Sequence, residues 1–182
     1  MTSFKDELIQ LALNENVDGF NKLIEENEIT DLDLSEVDFK GLNLNGINLH
    51  GTDLTGTDFS DSNLDSSDLT STNLSSANFT NASLQYCNFN NSNLSGTILV
   101  GATIIEADFT EANMNGADLR EADLTDTDLS GSYNLPQSRF DKFTIWPDSQ
   151  YLPEEFDTEG YTSPEYEDDL DDDIFDGDIE DN

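Results

Sequence analysis

Residues 116–131 read GADLREADLTDTDLSG. Leu recurs at every fifth position (119, 124 and 129), with Asp directly before it and Ala or Thr two places before it. A five-residue period matches neither a 3.6-residue helix nor the two-residue alternation of a half-buried strand. It suits a chain that turns one corner per unit, sending a large and a small residue inward while three residues face water. Whether the carboxylates serve chemistry or only the backbone depends on how far the period extends.

It extends from Leu34 to Leu129 with no skipped residue, which makes twenty units. Phe39, Phe59, Phe79, Phe89 and Phe109 take the large position in five of them, and Leu, Ile or Met takes it in the rest. Two places earlier sits a mostly small residue, such as Thr52, Ser67, Ala77, Cys87 or Ala107. The inward Thr and Ser hydroxyls are expected to bond backbone groups or one another, because buried unpaired polar groups are costly. One place before the large residue, Asp or Asn dominates.

The ANF, ADF, ADL, SNL and TDL triplets from 34 to 129 resemble the A(D/N)LXX unit of the pentapeptide repeat family. The whole pattern is similar to cyanobacterial members with an N-terminal helical cap. That resemblance implies an all-β solenoid over residues 30–133. It is a right-handed quadrilateral β-helix of about five coils, four units to a coil, each coil rising about 4.8 Å. Residues twenty apart then stack. Phe39, Phe59 and Phe79 share one column and Phe89 and Phe109 another, as a core of fixed volume per layer favours.

An open β-helix exposes apolar cross-sections and unpaired edges at its ends. Residues 1–29 are predicted to form a helical N-terminal cap. Ser3 caps a helix carrying Phe4, Leu8, Ile9 and Leu11, and Asp18 caps a second carrying Phe20, Leu23 and Ile24. Beyond Leu129 the register slips by one residue, with Tyr133, Leu135, Phe140 and Ile145 continuing a looser spacing. Residues 134–163 are predicted to be a C-terminal capping segment, with Phe140, Phe143, Trp146, Leu152 and Phe156 as apolar anchors. The stretch SRFDKFTIWPDSQYLPEEFD is similar to closing segments of cyanobacterial repeat proteins. That resemblance implies a homodimer contact through the C-terminal end as the alternative to a lid. Residues 164–182 hold eleven acids in nineteen positions and no base, which predicts a disordered acidic tail. It serves solubility or acts as a hook for a basic partner.

A net charge of -35 disfavours direct binding to nucleic acid or to an anionic membrane. No apolar run reaches the ~18 residues of a membrane span, and the first residues lack a secretory pattern, so a cytoplasmic location is expected. One cysteine and one histidine leave no disulfide, zinc site or usual catalytic triad. No catalytic residue, metal ligand or cofactor motif emerges, and no enzyme is expected.

Three functions follow. The leading one is a non-enzymatic scaffold for protein–protein interaction. Within TILVGATIIEA (97–107), Ile98, Val100 and Ile105 take outward slots, and Tyr86 lies on the neighbouring coil. That outward apolar cluster is the candidate partner contact, suited to a protein that is basic or has an apolar patch. The second function is implied by the family resemblance: an acidic rod that imitates DNA and modulates gyrase or another topoisomerase. Residues 30–133 do hold seventeen acids against two bases, but no charge falls between Asp68 and Glu106. The third is weak divalent-cation binding, because Glu106 and Asp108 stack on Asp126 and Asp128, spaced for a shared calcium ion.

Overall fold

The computed structural model describes residues 4–29, 32–154, 156 and 158. The Ser3 cap and the acidic segment 164–182 lie outside them. The residue before each large position pairs in parallel with the residue twenty further on, from Asp33 with Asp53 through to Asp108 with Asp128. Units with a regular coil on either side repeat one bonding pattern. In the Leu54 unit, Leu54 N–H donates to Asn73 O at 2.8 Å, Gly56 N–H to Ser75 O at 3.0 Å, and Asp53 N–H to Leu32 O at 2.8 Å. Thr57 N–H returns to Leu54 O at 3.1 Å and closes the corner. The third residue of that four-residue turn has positive φ, as in a type II turn. Pairing is therefore along the axis of the rod, and one corner falls in every unit.

Geometry follows composition inside the rod. The large residues from Leu34 to Leu129 are fully buried. Phe39, Phe59 and Phe79 stack at centroid separations of 5.4 and 4.9 Å, and Phe89 stacks on Phe109 at 4.6 Å. The inward hydroxyls bond backbone carbonyls in two ways. Thr57 and Thr97 donate to Leu34 O and Leu74 O one coil below, at 3.0 and 2.8 Å. Ser62, Thr72 and Ser92 donate within their own turn, each at 2.6 Å.

At the N-terminal end lie α1 (Phe4–Leu13) and α2 (Val17–Asn27). Leu8, Ala12 and Phe20 are buried against the first coil. The residue capping α2 is Asn16, whose side chain accepts Gly19 N–H at 3.1 Å, and not Asp18 as the sequence suggested. Both residues suit a cap, and the backbone places the corner two residues earlier. The helices also supply polar partners where no coil lies beneath. Asn63 N–H in the second coil donates to Leu42 O below, whereas Asn43 N–H in the first donates to Glu15 Oε1 at 2.8 Å. Asn21 accepts Asn48 N–H at 2.8 Å and donates to Gly46 O at 2.9 Å, standing in for a strand.

At the other end the register holds one unit longer than the sequence indicated, because Asn113 still pairs with Tyr133. Asp118 then pairs with Arg139 and Asp123 with Ile145, adding first one residue and then another. The 3-10 turn Leu135–Gln137, entered through Asn134 at φ 61°, takes up the first. Phe140, Trp146 and Phe156 close the end, with mutual centroid distances of 5.1 to 5.9 Å. One expected anchor, Phe143, is displaced outward by the added residues, and Ile145, expected only to continue the spacing, is exposed too. Phe143 is 60% exposed, and Ile145 is 52% exposed in a pairing position, not an inward one. Among the described residues no helix is long and apolar enough to cross a membrane.

The phenylalanine column gives a direct test of this packing. Phe59→Ala is expected to destabilise the rod by about 3–5 kcal/mol, and Phe59→Leu by under about 1.5 kcal/mol. Urea titration with an unchanged m-value checks both.

Candidate functional site

The Asp and Asn residues before each large position have a job in the backbone. Their side-chain oxygen accepts the N–H two residues on, making a turn within the turn. Asp123 Oδ1 accepts Thr125 N–H at 3.0 Å and its hydroxyl at 2.6 Å. Asp53, Asp58, Asn63, Asp68, Asn88 and Asp118 repeat the N–H contact. At Asp33 the Ser35 hydroxyl and N–H, with Lys5, hold the carboxyl down at about 2. On one side the ladder becomes continuous. Asn73, Asn93 and Asn113 each donate to the hydroxyl of the coil below, at Thr55, Ser75 and Ser95, at 2.8, 2.8 and 2.9 Å.

This account covers half of the four-acid group. Asp108 and Asp128 pair across coils, and each gives its Oδ1 to the backbone, to Thr110 N–H at 2.8 Å and Ser130 N–H at 2.9 Å. Glu106 and Asp126 occupy positive-φ corners at 53° and 56°. With Tyr151 the four line an open, shallow recess. Among the described residues no group of three or more His, Cys, Asp or Glu side chains is placed to hold a metal ion. The stacking expected from the period is present, but the convergence that a cation needs is not.

The four candidate partner contacts bracket one side of the rod. Thr103 pairs with Ser83 below and Asp123 above, and these residues form the middle of that side. Ile98 lies on the preceding side between Asn78 and Asp118, and Val100 sits at the corner between the two sides, its carbonyl accepting Asn81 N–H at 2.9 Å. At the far corner Tyr86 N–H donates to Ile105 O at 2.9 Å. Tyr86 is 55% exposed and Ile98 39%, while Val100 and Ile105 are half-buried. The structure thus brings them together as two pairs flanking Ser83 and Thr103, with Asp123 one coil above.

Tyr86 has a second peculiarity that the period alone did not reveal. It sits at φ 61° in the corner slot that other units fill with Gly, Ser, Asn, Asp or Glu. A left-handed conformation costs an L-residue roughly 1–2 kcal/mol, and only Gly and Asn or Asp adopt it routinely. An aromatic ring held there and turned to solvent is a strained choice of the kind that gathers at functional positions.

Cys87 and His50 carry no chemistry of their own here. The Cys87 thiol donates to Leu64 O at 3.0 Å, and burial pushes its pKa up to about 12. His50 Nδ1 shares a hydrogen bond with Thr70 Oγ1 at 2.6 Å on the outer surface.

The chain matches the family described as pentapeptide repeat region over residues 27–99 and the one described as pentapeptide repeats (8 copies) over residues 104–133. Among solved structures it is similar to Rfr23, a pentapeptide repeat protein from the cyanobacterium Cyanothece 51142. Identity is 27%, with a TM-score of 0.53, over 71% of this chain and 99% of that one. It is also similar to HetL of Nostoc sp. Strain PCC 7120, a pentapeptide repeat protein involved in heterocyst differentiation regulation. There identity is 26% and the TM-score 0.34, over 67% of this chain and 56% of that one. QnrB1, a plasmid-mediated fluoroquinolone resistance protein, is 26% identical with a TM-score of 0.44, over 61% of this chain and 59% of that one. No curated protein matches the chain.

Two substitutions separate architecture from chemistry. Asp128→Asn keeps an acceptor for Ser130 N–H and is expected to leave stability within about 0.5 kcal/mol, while Asp128→Ala loses about 1 kcal/mol. Calcium calorimetry on the Asp108→Asn, Asp128→Asn protein is expected to match the unaltered chain. Cys87 is expected to resist thiol reagents in the native protein and to react only when urea unfolds it.

Proposed function

We infer for this chain, which belongs to the pentapeptide repeat family, a non-enzymatic scaffold role in the cytoplasm. In this reading a rod of about five right-handed quadrilateral coils presents one side to another protein. The observation that carries it is Tyr86, an exposed aromatic in a left-handed corner. It is paired through its backbone with Ile105, at the edge of a side on which Ser83 and Thr103 are uncharged. Aromatic side chains at the middle of contact surfaces provide much of the binding energy of protein complexes. A rigid rod offers that surface with little ordering cost.

Charge distribution favours this reading over imitation of DNA. Duplex phosphates form a continuous array, whereas the acids of the rod stop at Asp68 and resume at Glu106. The partner surface lies inside that gap. A gyrase supercoiling assay is expected to show no change at equimolar protein.

Tyr86→Asn decides the matter, because Asn81 and Asn91 already hold the same slot at φ 58°. It is expected to leave unfolding free energy unchanged or raise it by up to about 1 kcal/mol. At the same time it should weaken capture of the partner at least about tenfold. Ile98→Asp with Ile105→Asp should abolish capture, and Asp108→Asn should not affect it. A partner held equally by Tyr86→Asn and by the Ile98, Ile105 variant would end the proposal.

A further inference from the structure

Asn followed by Gly occurs twice in the chain, at 45–46 and 115–116, within the matching stretches NLNG (43–46) and NMNG (113–116). Both pairs form the middle of a corner turn. Ile47 N–H closes one on Leu44 O and Ala117 N–H the other on Met114 O, each at 3.0 Å. Both glycines have positive φ, 73° and 70°. Both asparagines are exposed, and their N–H groups donate to Asn43 Oδ1 and Asn113 Oδ1. The dipeptide is chemically labile, because glycine has no Cβ to keep its nitrogen away from the asparagine side chain.

The fold treats the two glycines differently. The usual acceptor for a corner N–H is the carbonyl nineteen residues on, as Gly56 finds Ser75 O, Ser76 finds Ser95 O and Gly96 finds Asn115 O, at 3.0, 3.0 and 2.9 Å. Gly46 follows this rule, donating to Asp65 O at 2.9 Å, and Asn21 Nδ2 also holds its carbonyl at 2.9 Å. For Gly116 the residue nineteen on is Leu135, where the 3-10 turn Leu135–Gln137 begins. Leu135 O is turned into that element and accepts Ser138 N–H at 2.9 Å and Ser138 Oγ at 2.6 Å. Gly116 N–H is left with no acceptor among the described residues, and Gly116 is exposed. The next corner meets the same interruption, but there Asp141 Oδ1 accepts Glu121 N–H at 3.2 Å.

For the glycine nitrogen to reach Cγ of the asparagine, the peptide between them must rotate. Type I and type II turns differ by this rotation, and glycine at the third position suits both. The bond that closes the turn is kept in either form. At 115–116 the rotation costs the bond from Gly96 N–H to Asn115 O, whose donor lies in an exposed corner where water takes over the contact. At 45–46 it must pull the attacking nitrogen itself from Asp65 O, while Asn21 holds the following peptide in place.

We propose that Asn115 is a self-modification site, converted to aspartate and isoaspartate with water as the sole co-reactant. Gly116 nitrogen gives up its proton and attacks Cγ of Asn115. The N–Cγ bond forms, the Cγ–Nδ2 bond breaks, and Nδ2 departs with a proton as ammonia. Water then opens the five-membered imide. Opening at Cγ gives aspartate, and opening at the α-carbonyl gives isoaspartate, whose main chain runs through Cγ and is one carbon longer. The oxygen that accepted Gly96 N–H then belongs to a free carboxylate on a branch, and a charge enters the ladder of Asn73, Asn93 and Asn113. That carboxylate is the substrate of enzymes that methylate β-linked aspartyl groups.

The test ages the full chain in neutral buffer, native and in urea, and maps its peptides by mass spectrometry. Isoaspartate is read by methylating the digests with an isoaspartyl methyltransferase and labelled S-adenosylmethionine. In the native chain the peptide carrying 115–116 is expected to exchange NH for O and to become methylatable at least about fivefold faster than the one carrying 45–46, the protection one backbone hydrogen bond confers. In urea the two rates should converge. Asn115→Gln, at an exposed position, should remove the signal with the melting temperature unchanged. In the aged fraction the Gly96 amide should exchange with solvent faster than in fresh protein. Equal rates at the two pairs in the native chain, faster change at Asn45, or an intact Asn115 in native protein overturns the proposal. Conversion to aspartate with no methylatable product marks direct hydrolysis and overturns it as well. No partner is present in these samples, so the result stands apart from the scaffold reading.

Discussion

Everything in this rod depends on a backbone N–H reaching a carbonyl one coil away. Once Leu54 N–H bonds Asn73 O and Asp53 N–H bonds Leu32 O, the chain must return over itself every twenty residues. Each side of the square then has room for one large and one small inward residue. The corner needs a residue tolerant of positive φ, and the pairing position needs an acceptor for the N–H two residues on. The repeated Asp and Asn are that acceptor. Three of the five acids in GADLREADLTDTDLSG, Asp118, Asp123 and Asp128, are there because carboxylates turn its corners, as Asp123 does for Thr125.

Much of this was legible in advance because the inward positions obey a simple volume rule. A period of five fixed which residues face inward, and a stack of twenty predicted the Phe39, Phe59 and Phe79 column. What the period does not show depends on backbone torsion or on local insertions. The corner slot accepts Glu36, Ser66 and Tyr86 alike, so composition does not announce its left-handed conformation. The residue added at Asn134 and the one added before Ile145 shift Phe143, which looks like a core anchor, outward and put Ile145 in a pairing position. Asn16 displaced Asp18 as the cap of α2 because either residue suits the role and only the path of the preceding turn selects between them.

The candidate site was legible only in part, for a similar reason. Ile98, Val100 and Ile105 stand out against their polar neighbours, but the sequence presents them as one cluster. The fold divides them between two corners with Ser83 and Thr103 between. Arg139 and Ile145 reach their columns, over Asp118 and Asp123, only through the altered register, which cannot be counted in fives. Surface chemistry on a solenoid is set by column, and any inserted residue moves later side chains to a different one.

The direction of the ladder bonds also governs how the molecule bears load. Bonds between successive coils lie along the rod axis, so tension applied at the two ends acts on one interface after another in series. Within each interface the bonds of all four sides share the force. Such a rod should yield by peeling, one coil at a time, each release adding about 60 Å of contour length. Asn21 and Glu15, which pin the first coil to its helices, and Phe140, Trp146 and Phe156, which clasp the last, decide the end from which peeling starts.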